Sequence, residues 1–97
     1  GVPSVPIRRE TVPATDNDAV VERVRSRIAD RYENVTNVDG VRVDHDDGWF
    51  LVRASGTQPL VRITAQAEDD ARMTSLFDTA SELVDAAVDD LGAGVAR

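Results

Sequence analysis

Nine apolar residues near the end of the chain, Met73, Leu76, Phe77, Ala80, Leu83, Val84, Ala87, Val88 and Leu91, recur at spacings of three and four. That period places them on one side of an α-helix. Asp69 and Asp70 supply the acidic start that helices favour, and Gly92 stands where a left-handed residue ends one. A helix with one long apolar face has to bury it, so the remainder of the chain must offer a broad apolar surface. Strands with period-two patterning supply that surface. Val41-Arg42-Val43-Asp44 alternates apolar and polar residues, Trp49-Phe50-Leu51-Val52 is a β-rich run, and Val61, Ile63, Ala65 and Ala67 alternate with Arg62, Thr64 and Gln66. Asp39-Gly40 and Asp46-Asp47-Gly48 are the turn signals between them. Val35 to Val38 is the weakest strand candidate.

A second amphipathic helix precedes the strands. Val20, Val21, Val24 and Ile28 share a face, with Asp16 or Thr15 as cap, Asp18 in the first turn and an end near Arg31-Tyr32. Residues 1–15 hold three of the four prolines and no periodicity, which predicts an extended linker from a preceding domain. The pattern therefore predicts an α+β domain over 16–97. Its order is α-β-β-β-β-α, with a four-stranded antiparallel sheet and two helices packed on one face.

Charge narrows the function classes. Eighteen acidic residues face 11 basic ones, a net charge of −7, and every basic residue is Arg. Such a body is a poor match for nucleic acid or an anionic membrane, which are bound by clustered positive charge. Cysteine is absent, so disulfides and thiolate metal sites are excluded. No apolar run reaches the ~18–20 residues of a membrane span, and the proline-bearing start does not read as a signal peptide. Arg in place of Lys, with surplus Asp, resembles the composition of proteins from salt-loving archaea. An acidic domain from a GC-rich genome is the other reading.

One segment is not accounted for by packing: Arg53-Ala54-Ser55-Gly56-Thr57-Gln58-Pro59-Leu60-Val61-Arg62. Two hydroxyls, a glycine and a proline lie between two arginines. A phosphate monoester needs a planar fork such as Arg offers, neutral O–H and N–H donors, and close backbone approach. Gly56 would allow that approach and the turn that lets N–H groups converge, while Pro59 would stiffen the exit. Arg53 ends one strand and Arg62 lies early in the next, so both could reach the same mouth. A plain β-turn with local hydrogen bonds is the competing reading, though it leaves the two arginines unexplained. The loop is not a Walker-type phosphate loop, because the Gly-Lys-Ser/Thr step and the following helix are missing.

Arg-x-Ser-Gly-Thr-x-Pro-x-x-Arg, preceded by Asp-Gly and Asp-Gly-Trp and followed by a helix, resembles the C-terminal domain of the α-D-phosphohexomutases. These are the phosphoglucomutases, phosphomannomutases and phosphoglucosamine mutases. The similarity runs from about residue 16 to residue 91. It implies a TBP-like fold and the last part of a four-domain cytoplasmic isomerase, inactive as an isolated domain. It further implies a phosphoserine and a magnesium ion in other domains, and no catalytic or metal-binding residue in this one. The ligands implied are a hexose 1- or 6-phosphate and the bisphosphate intermediate. Arg53, Ser55, Gly56 and Thr57 would cradle the phosphate that is not reacting, with Arg62 as the second motif arginine. The domain would close the active site during phosphoryl transfer. Phosphomannomutase, with or without phosphoglucomutase activity, is the first expectation for the parent enzyme and phosphoglucosamine mutase the second.

Two positions depart from that family. Gln58 stands where Glu is common; it keeps a hydrogen-bonding amide beside the phosphate but removes a charge. His45 shares the phase of Val41 and Val43, which predicts a partly buried strand-end histidine in place of a catalytic base. Trp49 reads as sheet packing before a sugar platform, and Asp44, Asp46 and Asp47 as a solvated hairpin tip. A stand-alone phospho-ligand module and a ligand-free structural domain remain as alternatives. The net charge does not exclude a single phosphate, since Arg53 and Arg62 could make a small positive site; on the salt-loving reading, molar salt would also shorten the Debye length to about 3 Å and hide the distant acidic surface.

Overall fold

The structure is a computed structural model that describes residues 5–37 and 39–92. Its elements are β1 (Ile7–Pro13), α1 (Asn17–Ala29), β2 (Val35–Thr36), β3 (Val41–His45), β4 (Gly48–Ala54), β5 (Leu60–Ala67) and α2 (Asp70–Leu91). All strand pairs are antiparallel, in the order β1-β5-β4-β3-β2. The strand residues of the core are Val41, Val43, Phe50, Val52, Val61, Ile63, Ala65 and Ala67, all from one face of the sheet. Both helices pack on that face, α1 through Val20, Val21, Val24 and Ile28, and α2 through Leu76, Phe77, Ala80, Leu83, Val84 and Ala87. Burying a large aliphatic or aromatic side chain contributes about 1.5–3 kcal/mol, so this single interface dominates the stability of the domain.

The long helix follows its sequence signals closely. The Asp69 side chain accepts a hydrogen bond from the Arg72 N–H at 2.8 Å, and Gly92 takes φ +61 as the left-handed cap. The first helix is shorter than its periodicity suggests. It ends at Ala29, after which the N–H groups of Arg31 and Tyr32 both return to the Ile28 carbonyl. Asp16 caps it by position, without a side-chain cap bond. The weak strand covers Val35–Thr36, and Val38 lies outside the described residues.

The sheet corrects one expectation: it has five strands where four are predicted. The additional strand, β1, lies within the stretch read as a linker, of which residues 1–4 fall outside the described residues. It is an edge strand, and only Val12 is partly buried. It therefore carries no apolar alternation for a sequence reading to find. Its hold is the ladder itself, seven residue pairs with β5. At one end the Arg8 guanidinium lies 4.2 Å from the centre of the Phe77 ring, so the edge strand also touches α2. At the other, the buried Ala14 donates its N–H to the Pro59 carbonyl at 2.8 Å.

His45 is half-buried at the end of β3, with its ring edge-on to Tyr32 at 5.7 Å. Trp49 is part-buried on the open face of the sheet. Its Nε1 donates to Gln66 Oε1 at 3.1 Å, and Arg42 lies 4.2 Å above its ring. Both placements are those of packing residues.

Candidate functional site

Residues 55–59 join β4 to β5 and are closed by the chain itself. The Ser55 N–H donates to the Leu60 carbonyl at 3.0 Å, and the Leu60 N–H donates to the Gln58 carbonyl at 2.8 Å. Ser55 Oγ accepts from the N–H groups of Thr57 and Gln58, at 3.3 and 3.2 Å. Ser55 is thus part of a local hydroxyl turn, as the plain-turn reading expects. Its own O–H stays available as a donor, because a hydroxyl both accepts and donates.

A residue from a distant part of the sequence organises this loop. Asn17, the first residue of α1, directs its Nδ2 at three loop carbonyls: Ser55 at 2.8 Å, Leu60 at 3.0 Å and Gln58 at 3.1 Å. With the Ala14 bond to Pro59, the joint between β1 and α1 holds four loop carbonyls turned inward. The consequence follows from peptide planarity. In a trans peptide the C=O and the next N–H point to opposite sides. Since the Ser55 carbonyl faces Asn17, the Gly56 N–H faces away from it, and among the described residues it has no acceptor. Carbonyl oxygens are thereby withdrawn and an amide donor presented, the arrangement an anion requires.

The loop borders an open concavity of about 580 Å³ whose rim includes Asn17, Asp18, Asp39 and Arg53. Arg53 is the cation of this site. It is half-exposed, and its Nη1 lies 3.7 Å from Asp39 Oδ2, a loose and solvent-exposed pair of a kind worth little to stability. Asp39 belongs to the β2–β3 turn, where it takes φ +54 and Gly40 takes φ +118, the positive values that the Asp-Gly turn signal predicts. Gly40 packs against β4 at Val52 and Arg53, so the turn and the arginine are fixed relative to each other.

The structure therefore brings Arg53, Ser55, Gly56 and Thr57 together at one concavity and sets Arg62 on the neighbouring strand. Arg62 is directly opposite Arg53 in the β4–β5 ladder, but it does not line the loop concavity; it lines a separate cavity with Arg9. Gly56 turns without a positive φ, and a Cβ built there would meet nothing within 4 Å. What it contributes is open space at the mouth. Asn17 and Asp39 are the residues that sequence reasoning missed. Asn17 is 38 to 43 residues from its acceptors, a separation at which no periodicity or spacing rule operates.

Two carboxylates of the acidic hairpin tip have arginine partners within the chain. Asp44 pairs with Arg42 and Asp47 with Arg72, and among the described residues no three His, Asp or Glu side chains gather around a common point. Among the described residues no helix is long and apolar enough to cross a membrane.

Comparison with known proteins places this geometry in context. The family described as phosphoglucomutase/phosphomannomutase, C-terminal domain, matches residues 10–83. A probable phosphoglucosamine mutase of Methanopyrus kandleri is 44% identical over 92 residues, covering 93% of this chain and 20% of that protein. Those of Methanothermobacter thermautotrophicus and Pyrococcus horikoshii are 40% and 33% identical, covering 73% and 93% of this chain and 17% and 21% of theirs. The chain thus spans about a fifth of the length of the curated relatives it matches. A crystal structure of a phosphoglucomutase/phosphomannomutase family protein from Burkholderia thailandensis superposes with a TM-score of 0.67 at 24% identity, over 88% of this chain and 18% of that one, and shares the fold. By sequence along most of its length and by architecture, the chain belongs to the phosphoglucomutase/phosphomannomutase family and corresponds to its C-terminal domain.

Proposed function

We propose that this chain is the phosphate-gripping domain of a phosphohexomutase, and that the group it holds is the non-reacting phosphate of the sugar. The observation that carries the reading is the inward turn of the loop carbonyls onto Asn17 and Ala14. It leaves the Gly56 N–H, the Ser55 hydroxyl and the exposed Thr57 beside the Arg53 guanidinium. A dianion seated there would take Arg53 from its loose partner Asp39 and gain charge-assisted hydrogen bonds. Binding energy from that remote phosphate then positions the reacting end of the sugar in another part of the enzyme. Closure of the cleft by this domain follows from the same grip. On this reading the phosphoserine and the magnesium ion belong to other domains of a cytoplasmic parent enzyme, and the domain alone is inactive.

The names of the archaeal relatives reverse the expected order of sugars. We assign a hexosamine phosphate, with glucosamine phosphate first and mannose or glucose phosphate second. The test is a titration of the chain with glucosamine 6-phosphate while following backbone amides. Saturable shifts at Gly56 and Thr57 are expected, and Arg53→Ala should weaken them by about tenfold or more, the scale of a charge-assisted contact. Shifts of equal size in the Ala variant would remove Arg53 from the site.

A further inference from the structure

The end of the sheet far from the loop carries an apolar patch beside the point where the chain enters β1. Among the described residues three large apolar side chains are exposed, and two of them, Val5 at 52% and Ile7 at 40%, lie here. The patch is about 23 Å from the loop, because β5 runs from Leu60 to Ala67 at about 3.3 Å per residue. The ladders set Ile7 opposite Gln66 and Gln66 opposite Trp49. Cross-strand partners share a face, so these side chains form one row on the side the helices leave open. Next to the row, Val5, Gly48, Trp49 and Ala67 line a cavity of about 240 Å³. Arg42 lies over the Trp49 ring, and the Trp49 N–H already donates to Gln66 Oε1 at 3.1 Å. An apolar surface can therefore cover the cavity without stranding the one donor of the indole. At the rim Asp47 is engaged by Arg72, and Glu68 stays exposed at the water-facing edge.

The course of the chain says what covers this patch. The family match is to a C-terminal domain, and the chain spans about a fifth of its relatives, so most of such a protein precedes it. That preceding part is joined to the patch by residues 1–5, which reach at most about 18 Å. Pro6 holds its own φ and keeps Val5 out of the helical region, which stiffens the entry. The Pro6 carbonyl is further fixed to the sheet by the Ala67 N–H at 3.2 Å. A neighbour on so short a tether is present at high effective concentration, and a small apolar contact is enough to seat it. A second copy of the chain has no such tether and brings another charge of −7 to the face.

We propose that Val5, Ile7 and Trp49 form the seat on which the preceding domain of the parent protein docks, through an apolar surface of its own. Contact at this end leaves the loop end of the sheet uncovered. The proposal rests on membership of the family and not on the phosphate reading of the loop. Its test is hydroxyl-radical footprinting of the full-length parent protein, read by mass spectrometry at Ile7 and Trp49. Slow labelling of both is expected in the native protein, at a rate independent of protein concentration. Val5→Asp should weaken docking by about tenfold or more, the value of one buried valine, and labelling at both positions should rise accordingly. Val5→Ser, which adds no charge, should act in the same direction. The buried Phe50 reports on the fold of the domain and should stay unlabelled in both variants, since Val5 is exposed within it. Thr74→Asp, on the exposed side of α2, should change nothing. The proposal is overturned if Ile7 and Trp49 label in the native protein as fast as in Val5→Asp. It is equally overturned if their labelling slows as protein concentration rises, which would assign the patch to a second copy.

Discussion

Asn17→Ala is expected to loosen the loop and to weaken phosphate binding together. The amide it removes is the donor to the carbonyls of Ser55, Gln58 and Leu60. Two of these keep another partner within the chain: Leu60 accepts from Ser55, and Gln58 accepts from Leu60. Ser55 does not, and its part-buried carbonyl is left unsatisfied, which costs about 1–3 kcal/mol. For a domain of this size that corresponds to a fall in Tm of roughly 4–8 °C per kcal/mol. The functional loss is larger than the stability loss suggests, because the Ser55–Gly56 peptide is then free to rotate and the Gly56 N–H is no longer aimed. A decrease in phosphate affinity of about tenfold, the value of one charge-assisted hydrogen bond, is expected. Asn17→Asp should be worse than Ala despite its equal size, since a carboxylate would face three carbonyl oxygens. The measurements are thermal unfolding, hydrogen exchange at Gly56 to Gln58, and phosphate titration. Unchanged exchange and affinity in the Asp variant would show that Asn17 does not position the loop.

Gly40→Ala is expected to have a large effect on stability. At φ +118 the backbone is in a region that L side chains rarely adopt, and the new Cβ would lie 2.6 Å from the Val52 carbonyl oxygen and 3.1 Å from Arg53 Cβ. The obstructing atom is backbone in the middle of the sheet, because Val52 pairs with both Val41 and Ile63. It cannot move without disturbing two ladders. Strain at such a position costs about 1–3 kcal/mol, and overpacking adds about 1–3 kcal/mol. The sum is a large part of the 5–15 kcal/mol by which domains are stable. Denaturant or thermal unfolding should record it. Since Arg53 is one of the displaced residues, the surviving folded fraction should also bind phosphate less well. Gly56→Ala is the control: its Cβ would meet nothing within 4 Å, so the Tm should be nearly unchanged. Equal stability of the two variants would refute the account of Gly40.

Much of this domain was legible in one dimension because its signals are local. The stripe from Met73 onward, the Asp69 cap, the Gly92 stop and the Asp39-Gly40 turn each depend on residues within a turn or two of one another. The structure bears out the cap, the stop and the turn, and packs the stripe from Met73 to Val88 against the core, while Leu91 at its end is exposed. The loop was legible for a different reason: its residue types are chemically unusual side by side, and the motif they form matches a known family. Arg53, Ser55, Gly56 and Thr57 do share a concavity. Gly56 leaves the mouth of that concavity open, and the chain turns there without a positive φ.

Strand β1 and the role of Asn17 were not legible, and their common cause is that each is defined by pairing across the sequence. An edge strand that buries little beyond Val12 is held by its ladder, and a ladder leaves no trace in the composition of one strand. Asn17 is an ordinary helix-start residue until the fold sets it beneath the loop. The apolar periods fixed which faces had to be buried, and so the α+β class and the one-sided packing. The register between strands decided which exposed side chains became neighbours. A one-residue change of register exchanges the two faces of a strand, and the local pattern of the open face is indifferent to it. Only the burial of the opposite face, achieved when the helices close over the sheet, selects the register that sets Arg62 beside Arg53 and Thr11.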